Sequence, residues 1–245
     1  RFHAVYWPAF LMAADLELPK KIFAHGWWTN EGQKISKSLG NVINPFEIVE
    51  KYGVDQVRYF LMREIPFGND GDFSVLQLVN RVNSDLSNSL GNLFQRVVSM
   101  VVKNCNGKIP KKPLVFLSQD KFLINSIKDK LDDYRNLIDN QKLDQYLKNV
   151  WVIIGNANKY VDEQAPWLLK KNDFNRMEVV LYTLLETLKQ IGIILQPFLP
   201  LSSNYILNHL SVPADLRNLN SINTFIDGDI EIIIPSALFP RIENN

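Results

Sequence analysis

The sequence predicts a mainly α protein, a short mixed α/β segment followed by an antiparallel helical bundle. Three observations carry this. From Val75 to Val101, apolar residues recur at steps of three or four: Val75, Val79, Val82, Leu86, Leu90, Leu93, Val97 and Val101. Further stretches with the same period follow, separated by Gly or Pro. Before Val75 the pattern changes to short apolar runs, turns and one capped helix start.

In chain order, Ile22-Phe23-Ala24-His25-Gly26-Trp27-Trp28 reads as a strand bounded by the Asn30-Glu31-Gly32 turn. A helix starts with Asn44 as cap, Pro45 in the first turn and Glu47 three residues after the cap. It stops at Gly53. A second helix follows Asp55 with Val57, Phe60 and Leu61 inward. Pro66, Gly68, Asp70 and Gly71 then form a loop and a plausible domain boundary. The first long helix ends at Gly107 and Pro110. Phe122, Ile127, Leu131, Tyr134 and Ile138 mark the next. Leu143, Leu147, Val150, Ile154, Ala157 and Val161 mark a third, broken at Pro166. Met177, Leu181, Leu184, Leu188, Ile191 and Leu195 mark a fourth, closed by Pro197, and a shorter fifth follows Pro200. Modest connections make five such helices an antiparallel bundle. Ile230 to Ile234 reads as a β-rich stretch in the tail. The expected units are 1–75, 76–210 and 211–245.

Composition bounds the function. With 46% hydrophobic and 22% charged residues, the chain is an ordinary globular protein. The single Cys105 excludes an internal disulfide and a four-cysteine zinc site. No apolar run is long enough to span a bilayer, and the start carries no signal-peptide pattern. Beginning at Arg1 rather than methionine, the segment reads as part of something longer. The formal net charge of +1 divides unevenly: −1 over 1–75, +5 over 76–210 and −3 over 211–245. A basic helical segment fits either an ordinary solvated surface or an RNA-binding face.

Lys34-Ile35-Ser36-Lys37-Ser38 sets two lysines and two hydroxyls on a loop with Gly32 before it and Gly40 after. Lysines are compact mobile charges suited to phosphate oxygens, and serines add hydrogen bonds. On a second face, Asn88, Asn92 and Arg96 recur every four residues, opposite the apolar stripe. Trp167 follows Pro166 outside the helical period. It reads as a bundle-end core plug or as a stacking platform for an unpaired base.

The strand, the glycine turn, the Lys34–Ser38 loop and the capped helix together resemble the KMSKS loop of class I aminoacyl-tRNA synthetases, with Ile35 in place of the methionine. Two further stretches resemble methionyl-tRNA synthetases. One is Phe2-His3-Ala4-Val5-Tyr6-Trp7-Pro8-Ala9-Phe10, similar to the segment bordering their methionine pocket. The other is Asn158-Lys159-Tyr160-Val161-Asp162-Glu163-Gln164-Ala165-Pro166-Trp167, similar to their anticodon-binding domain. The resemblance runs from Arg1 to about Leu210. Leu238-Phe239-Pro240-Arg241-Ile242 looks like the ending of some bacterial-type members.

That resemblance implies the end of a class I Rossmann-type catalytic domain with its connecting fold, then the helical anticodon domain. It implies methionine, ATP and tRNA(Met) as substrates, with Mg2+ accompanying the ATP, no zinc in this segment, no membrane and a cytoplasmic location; the oligomeric state is left open by the sequence, with a monomer favoured. Lys37 would contact the pyrophosphate during amino acid activation, with Lys34 as its partner. His25, Gly26, Trp28, Ser36 and Ser38 would join these two lysines around ATP, Gly26 by letting adenine come close. Phe2, His3 and Trp7 would line the methionine pocket, where sulfur meets ring edges. Asn92, Arg96 and Trp167 would contact anticodon bases, with Asn88 and Pro166 beside them. The HIGH-type ATP motif and the first nucleotide-binding half are absent from these residues, so the chain is not expected to activate methionine by itself. Two alternatives remain open from sequence: another class I synthetase for an apolar amino acid, and a tRNA-binding module without catalysis.

Overall fold

The computed structural model describes residues 1–243. Residues 244 and 245, the last two of the predicted tail unit, lie outside the described residues. The protein is mainly helical with one small sheet. Among the described residues, no helix is long and apolar enough to cross a membrane.

One π-helical turn, Phe2–Tyr6, leads into α1 (Trp7–Ala13). Neither buries a side chain. The sheet comprises β1 (Trp28–Asn30), β2 (Gln33–Lys34) and β3 (Gly71–Phe73) in the order β2-β1-β3. β1 runs antiparallel to β2, with Thr29 opposite Lys34, and parallel to β3, with Thr29 opposite Asp72. The predicted strand over Ile22–Trp28 is therefore corrected: only Trp28 belongs to it. Residues 22–27 lack a ladder, although Trp27 O accepts the Gly71 N–H at 2.8 Å. Gly71, predicted as the end of a loop, opens β3 instead.

α2 (Pro45–Tyr52) begins as its sequence directs. Asn44 Oδ1 accepts the Phe46 N–H at 3.1 Å, and Asn44 Nδ2 donates to Glu47 at 2.7 Å. Gly53 then breaks it, and α3 (Val54–Glu64) follows. Val57 and Phe60 face inward with Tyr59, but Leu61 is exposed, contrary to expectation. Its place on the buried side is taken by Tyr59, whose hydroxyl donates to Asp85 at 2.7 Å.

The rod from Val75 to Asn104 is one continuous helix with a π-helical middle: α4 (Val75–Arg81), the π segment Val82–Gly91 and α5 (Asn92–Asn104). Every predicted apolar position from Val79 to Val101 is buried; Val75 is not. The indole of Trp151 donates to Asp85 O inside the π segment at 3.2 Å, one of the insertions that accompany such wide turns.

The expected second helix is two, α6 (Ser118–Lys128) and α7 (Leu131–Asp139), divided at Asp129-Lys130. Phe122, expected inward, is exposed, and Leu123 and Ile124 fill the core there. α8 (Leu143–Gln164) ends at Ala165, and Pro166 opens a further helix, α9 (Pro166–Asn172), rather than only closing the previous one. α10 (Phe174–Leu195) and α11 (Pro200–His209) complete the bundle. α10 is its axis, packing against α5, α6, α8, α9 and α11.

The tail forms no strand over Ile230–Ile234. Glu231 makes one isolated bridge to Lys108, and Ile230 and Ile232 exchange hydrogen bonds with Ile109 and Gly107. Side chains hold the rest of the tail. Glu186 and Lys189 of α10 form a buried pair that reaches the Ile226 N–H and Thr224 O, and Asn83 pairs both ways with the Ile242 backbone.

α3 ties the two halves together. Buried Asp55 accepts the Ser202 N–H at 2.7 Å, at the start of α11. Arg58 donates to Pro197 O and Phe198 O at 2.6 and 3.1 Å. The sheet and α2 are thereby fixed to the corner between α10 and α11.

Candidate active-site loop and nucleic-acid face

The Lys34–Ser38 loop is an ordered turn. Lys34 ends β2 and Lys37 starts a 3-10 turn, Lys37–Leu39. Ser36 Oγ accepts the Ser38 N–H at 3.2 Å and pairs with Ser38 Oγ at 2.7 Å. Gly40 closes the turn at φ 65°, a region an L side chain rarely adopts. Lys34, Lys37 and Ser38 are exposed, and no ion pair engages either lysine among the described residues. Both ammonium groups are left free for an anion.

Asn41, which the sequence did not single out, holds this loop shut. Its Oδ1 accepts the Ser36 N–H at 2.9 Å, its Nδ2 donates to Lys34 O at 3.1 Å, and its carbonyl accepts from Asn30 at 2.9 Å. The turn between β1 and β2 is held from β3. Asp72 accepts from Thr29 Oγ1 at 2.5 Å and from the Gly32 N–H at 2.8 Å, and these bonds hold its carboxyl below the usual range. An Asn just after a loop glycine is the local signal that could have found Asn41. Asp72 carries no such signal, because its partners are about 40 residues away.

His25 and Trp28 both line a cleft of about 250 Å³ with Met62, Pro66, Phe67 and Asn69. Gly26 follows His25 and is pressed against the loop before β3. A Cβ there would lie 2.3 Å from the backbone of Asn69. Close approach of the protein's own chain already requires glycine at this position.

Phe2, His3, Tyr6, Trp7 and Phe10 surround an open concavity of about 490 Å³ on one face of the first helix. His3 and Trp7 meet edge to face with ring centres 6.5 Å apart. No hydrogen bond joins this helix to the lysine loop among the described residues.

At the other site, Asn88 and Asn92 are exposed along the rod. Arg96 donates to Asp162 Oδ1 at 2.8 Å, which links the rod to the last turn of α8. Five residues beyond Asp162, Trp167 lies on α9 with 47% of its surface exposed. It is not a core plug; Pro166, beside it, is buried.

Comparison with known proteins covers both regions. Residues 1–98 match the family model described as tRNA synthetases class I (M). Residues 113–245 match that of the anticodon binding domain of methionyl tRNA ligase. The chain belongs to the methionyl-tRNA synthetase family. A methionine–tRNA ligase of Brucella suis is 49% identical over 242 residues, covering 98% of this chain and 47% of that protein. One from Rickettsia felis is 47% identical, covering 100% of this chain and 49% of its own length. The Mycobacterium tuberculosis methionyl-tRNA synthetase in complex with methionyl-adenylate superposes with a TM-score of 0.93 at 42% identity. It covers 98% of this chain and 48% of that one. The chain thus spans about half the length of the methionyl-tRNA synthetases it matches. Membership in this family sets aside a class I synthetase for another apolar amino acid.

Proposed function

We propose that the chain is the tRNA-reading and loop-bearing half of a methionine–tRNA ligase, which activates methionine with ATP and transfers it to tRNA(Met). In this reading residues 1–75 end the catalytic domain, 76–210 form the anticodon-binding domain and 211–245 are an extension. The observation that carries it is the Arg96–Asp162 ion pair. It ties the polar face of Asn88, Asn92 and Arg96 to the last turn of α8, five residues before the half-exposed Trp167, which supports a reading in which hydrogen-bonding groups and a stacking surface serve one RNA loop.

Activation is attack of the methionine carboxylate on the α-phosphate of ATP, which enters with its Mg2+. Bonding develops at phosphorus as pyrophosphate departs, and negative charge accumulates on the leaving group. Lys37 and Lys34, exposed and without an ion-pair partner among the described residues, stabilise that charge more than they stabilise bound ATP. Ser36 and Ser38 hold the turn, and Asn41 keeps it closed. His25 and Trp28 border the nucleotide. Phe2, His3 and Trp7 offer the thioether an aromatic wall. By itself the 245-residue chain binds tRNA without activating methionine, and its ATP–pyrophosphate exchange is expected at background; robust exchange overturns the division of catalysis between two halves.

The anticodon reading is tested by Trp167→Ala. Affinity for an anticodon stem-loop of methionine tRNA is expected to fall by about 1–3 kcal/mol, the scale of lost base stacking, with the melting temperature unchanged. Normal binding by the variant would remove Trp167 from the interface.

A further inference from the structure

Three helix ends, of α6, α8 and α10, meet at the residue before the α8–α9 corner. Asp120 lies in the first turn of α6 with its side chain fully buried, and Arg176 lies in the first turn of α10, largely buried. The guanidinium grips both Asp120 oxygens, at 2.6 and 2.7 Å. The Tyr160 hydroxyl and the Leu117 N–H donate to the same carboxylate at 2.6 and 2.9 Å. With these partners the ion pair is already complete.

Beyond the carboxylate, the Arg176 guanidinium makes a long contact to the Tyr160 hydroxyl at 3.4 Å and one short bond. Its Nη2 also donates to Gln164 Oε1 at 2.6 Å. Gln164 is the last residue of α8. The next residue, Ala165, sits at φ 43° and ψ 60°, a left-handed conformation that its Cβ disfavours. Pro166 then starts α9, and Trp167 is its second residue. The extra arm of Arg176 therefore ends one residue before the strained corner that aims the tryptophan.

We propose that Arg176, acting through Gln164, is the positioning residue that locks the α8–α9 corner and presents Trp167 to an anticodon base. Only a planar fork can hold both Asp120 oxygens and still reach a third acceptor in fixed geometry, which selects arginine over lysine. The inference rests on the stacking role of Trp167.

The test is a double-mutant cycle on the 245-residue chain, read as the dissociation constant for the anticodon stem-loop of methionine tRNA. Gln164→Met leaves the buried ion pair intact, so the fold survives. It is expected to weaken binding about tenfold, as loss of one hydrogen bond to a charged group implies, with the melting temperature within a few degrees. Arg176→Lys is expected to weaken binding likewise, with an added loss of stability because it also gives up the two-oxygen grip on Asp120. In the Trp167→Ala background, Gln164→Met is expected to add nothing, because what it positions is gone. Unchanged binding by Gln164→Met, or the same loss in both backgrounds, overturns the inference and leaves the stacking role standing. If Trp167→Ala itself binds normally, the stacking role fails and this inference with it.

Discussion

The two ends of the chain are opposite in how they use their side chains. No residue before Tyr52 is buried, whereas every residue of α10 from Val180 to Leu195 is. In α10 even the polar groups are absorbed: Glu186 and Lys189 pair with each other and grip the tail, and burial holds the Glu186 carboxyl above its usual range. At the start, Phe2, Phe10 and Trp27 are at least 70% exposed. The bundle has its own core and stands by burial. The first 51 residues are shaped by caps, turns and two strands of the sheet, so their apolar surface remains for a function or a neighbour. Buried polar groups in one region hold the fold, while exposed polar and aromatic groups in the other are available to substrates.

The sharpest way to break this contrast is to remove one buried group. Asp120→Ala leaves Arg176 charged and largely unpaired, which is expected to cost about 3–5 kcal/mol in urea denaturation. A loss under 1 kcal/mol would mean that the bundle does not depend on its buried pair. Lys37→Ala addresses the exposed end. In the full-length enzyme, ATP–pyrophosphate exchange is expected to fall about 10²- to 10³-fold, the scale for removing one transition-state donor, with the methionine dissociation constant and melting temperature unchanged. Equal loss of methionine binding would make Lys37 a ground-state contact.

Legibility followed the same divide. The rod and α8 were readable because burial on one face writes a 3.6-residue period into the sequence; α10, buried all round from Val180 to Leu195, was readable from its length and its run of apolar residues between Asp173 and Pro197. The division of α6 from α7 was not, since apolar residues at Ile127, Leu131 and Tyr134 keep that period across Asp129-Lys130. β3 is only Gly71-Asp72-Phe73, too short to show alternation, and its pairing with β1 spans about 40 residues. The lysine loop was legible because its residues are contiguous. Asn41 was missed although it is adjacent, because its role is to bond the loop backbone, which composition does not report. Arg176 and Asp120 are 56 residues apart and carry no shared pattern.

A milder probe of the same contrast is acid. Burial pushes the Asp120 carboxyl up, but Arg176, Tyr160 and the Leu117 N–H more than offset it, leaving it below its ordinary value in the folded protein. A carboxyl lowered on folding contributes stability above its unfolded value, about 3.9, and loses it as pH falls through the folded value. Bundle stability is therefore expected to drop in that acid window. Asp120→Asn should flatten the drop; an unchanged acid profile would remove Asp120 from the pH dependence.

The smallest effect is expected from Trp7→Ala. Trp7 is 43% exposed, and its helix buries nothing. For the 245-residue chain the stability change should stay within about 0.5 kcal/mol, as for surface substitutions. In the full-length enzyme the KM for methionine should rise, by up to about tenfold, because sulfur–aromatic contacts contribute about 0.3–1.5 kcal/mol. The pair of measurements separates the two uses of an aromatic ring. A large stability loss in the short chain would mean that the first helix already has a packing partner there. A null effect on the methionine KM would place the thioether elsewhere and leave the His3–Trp7 face without a substrate.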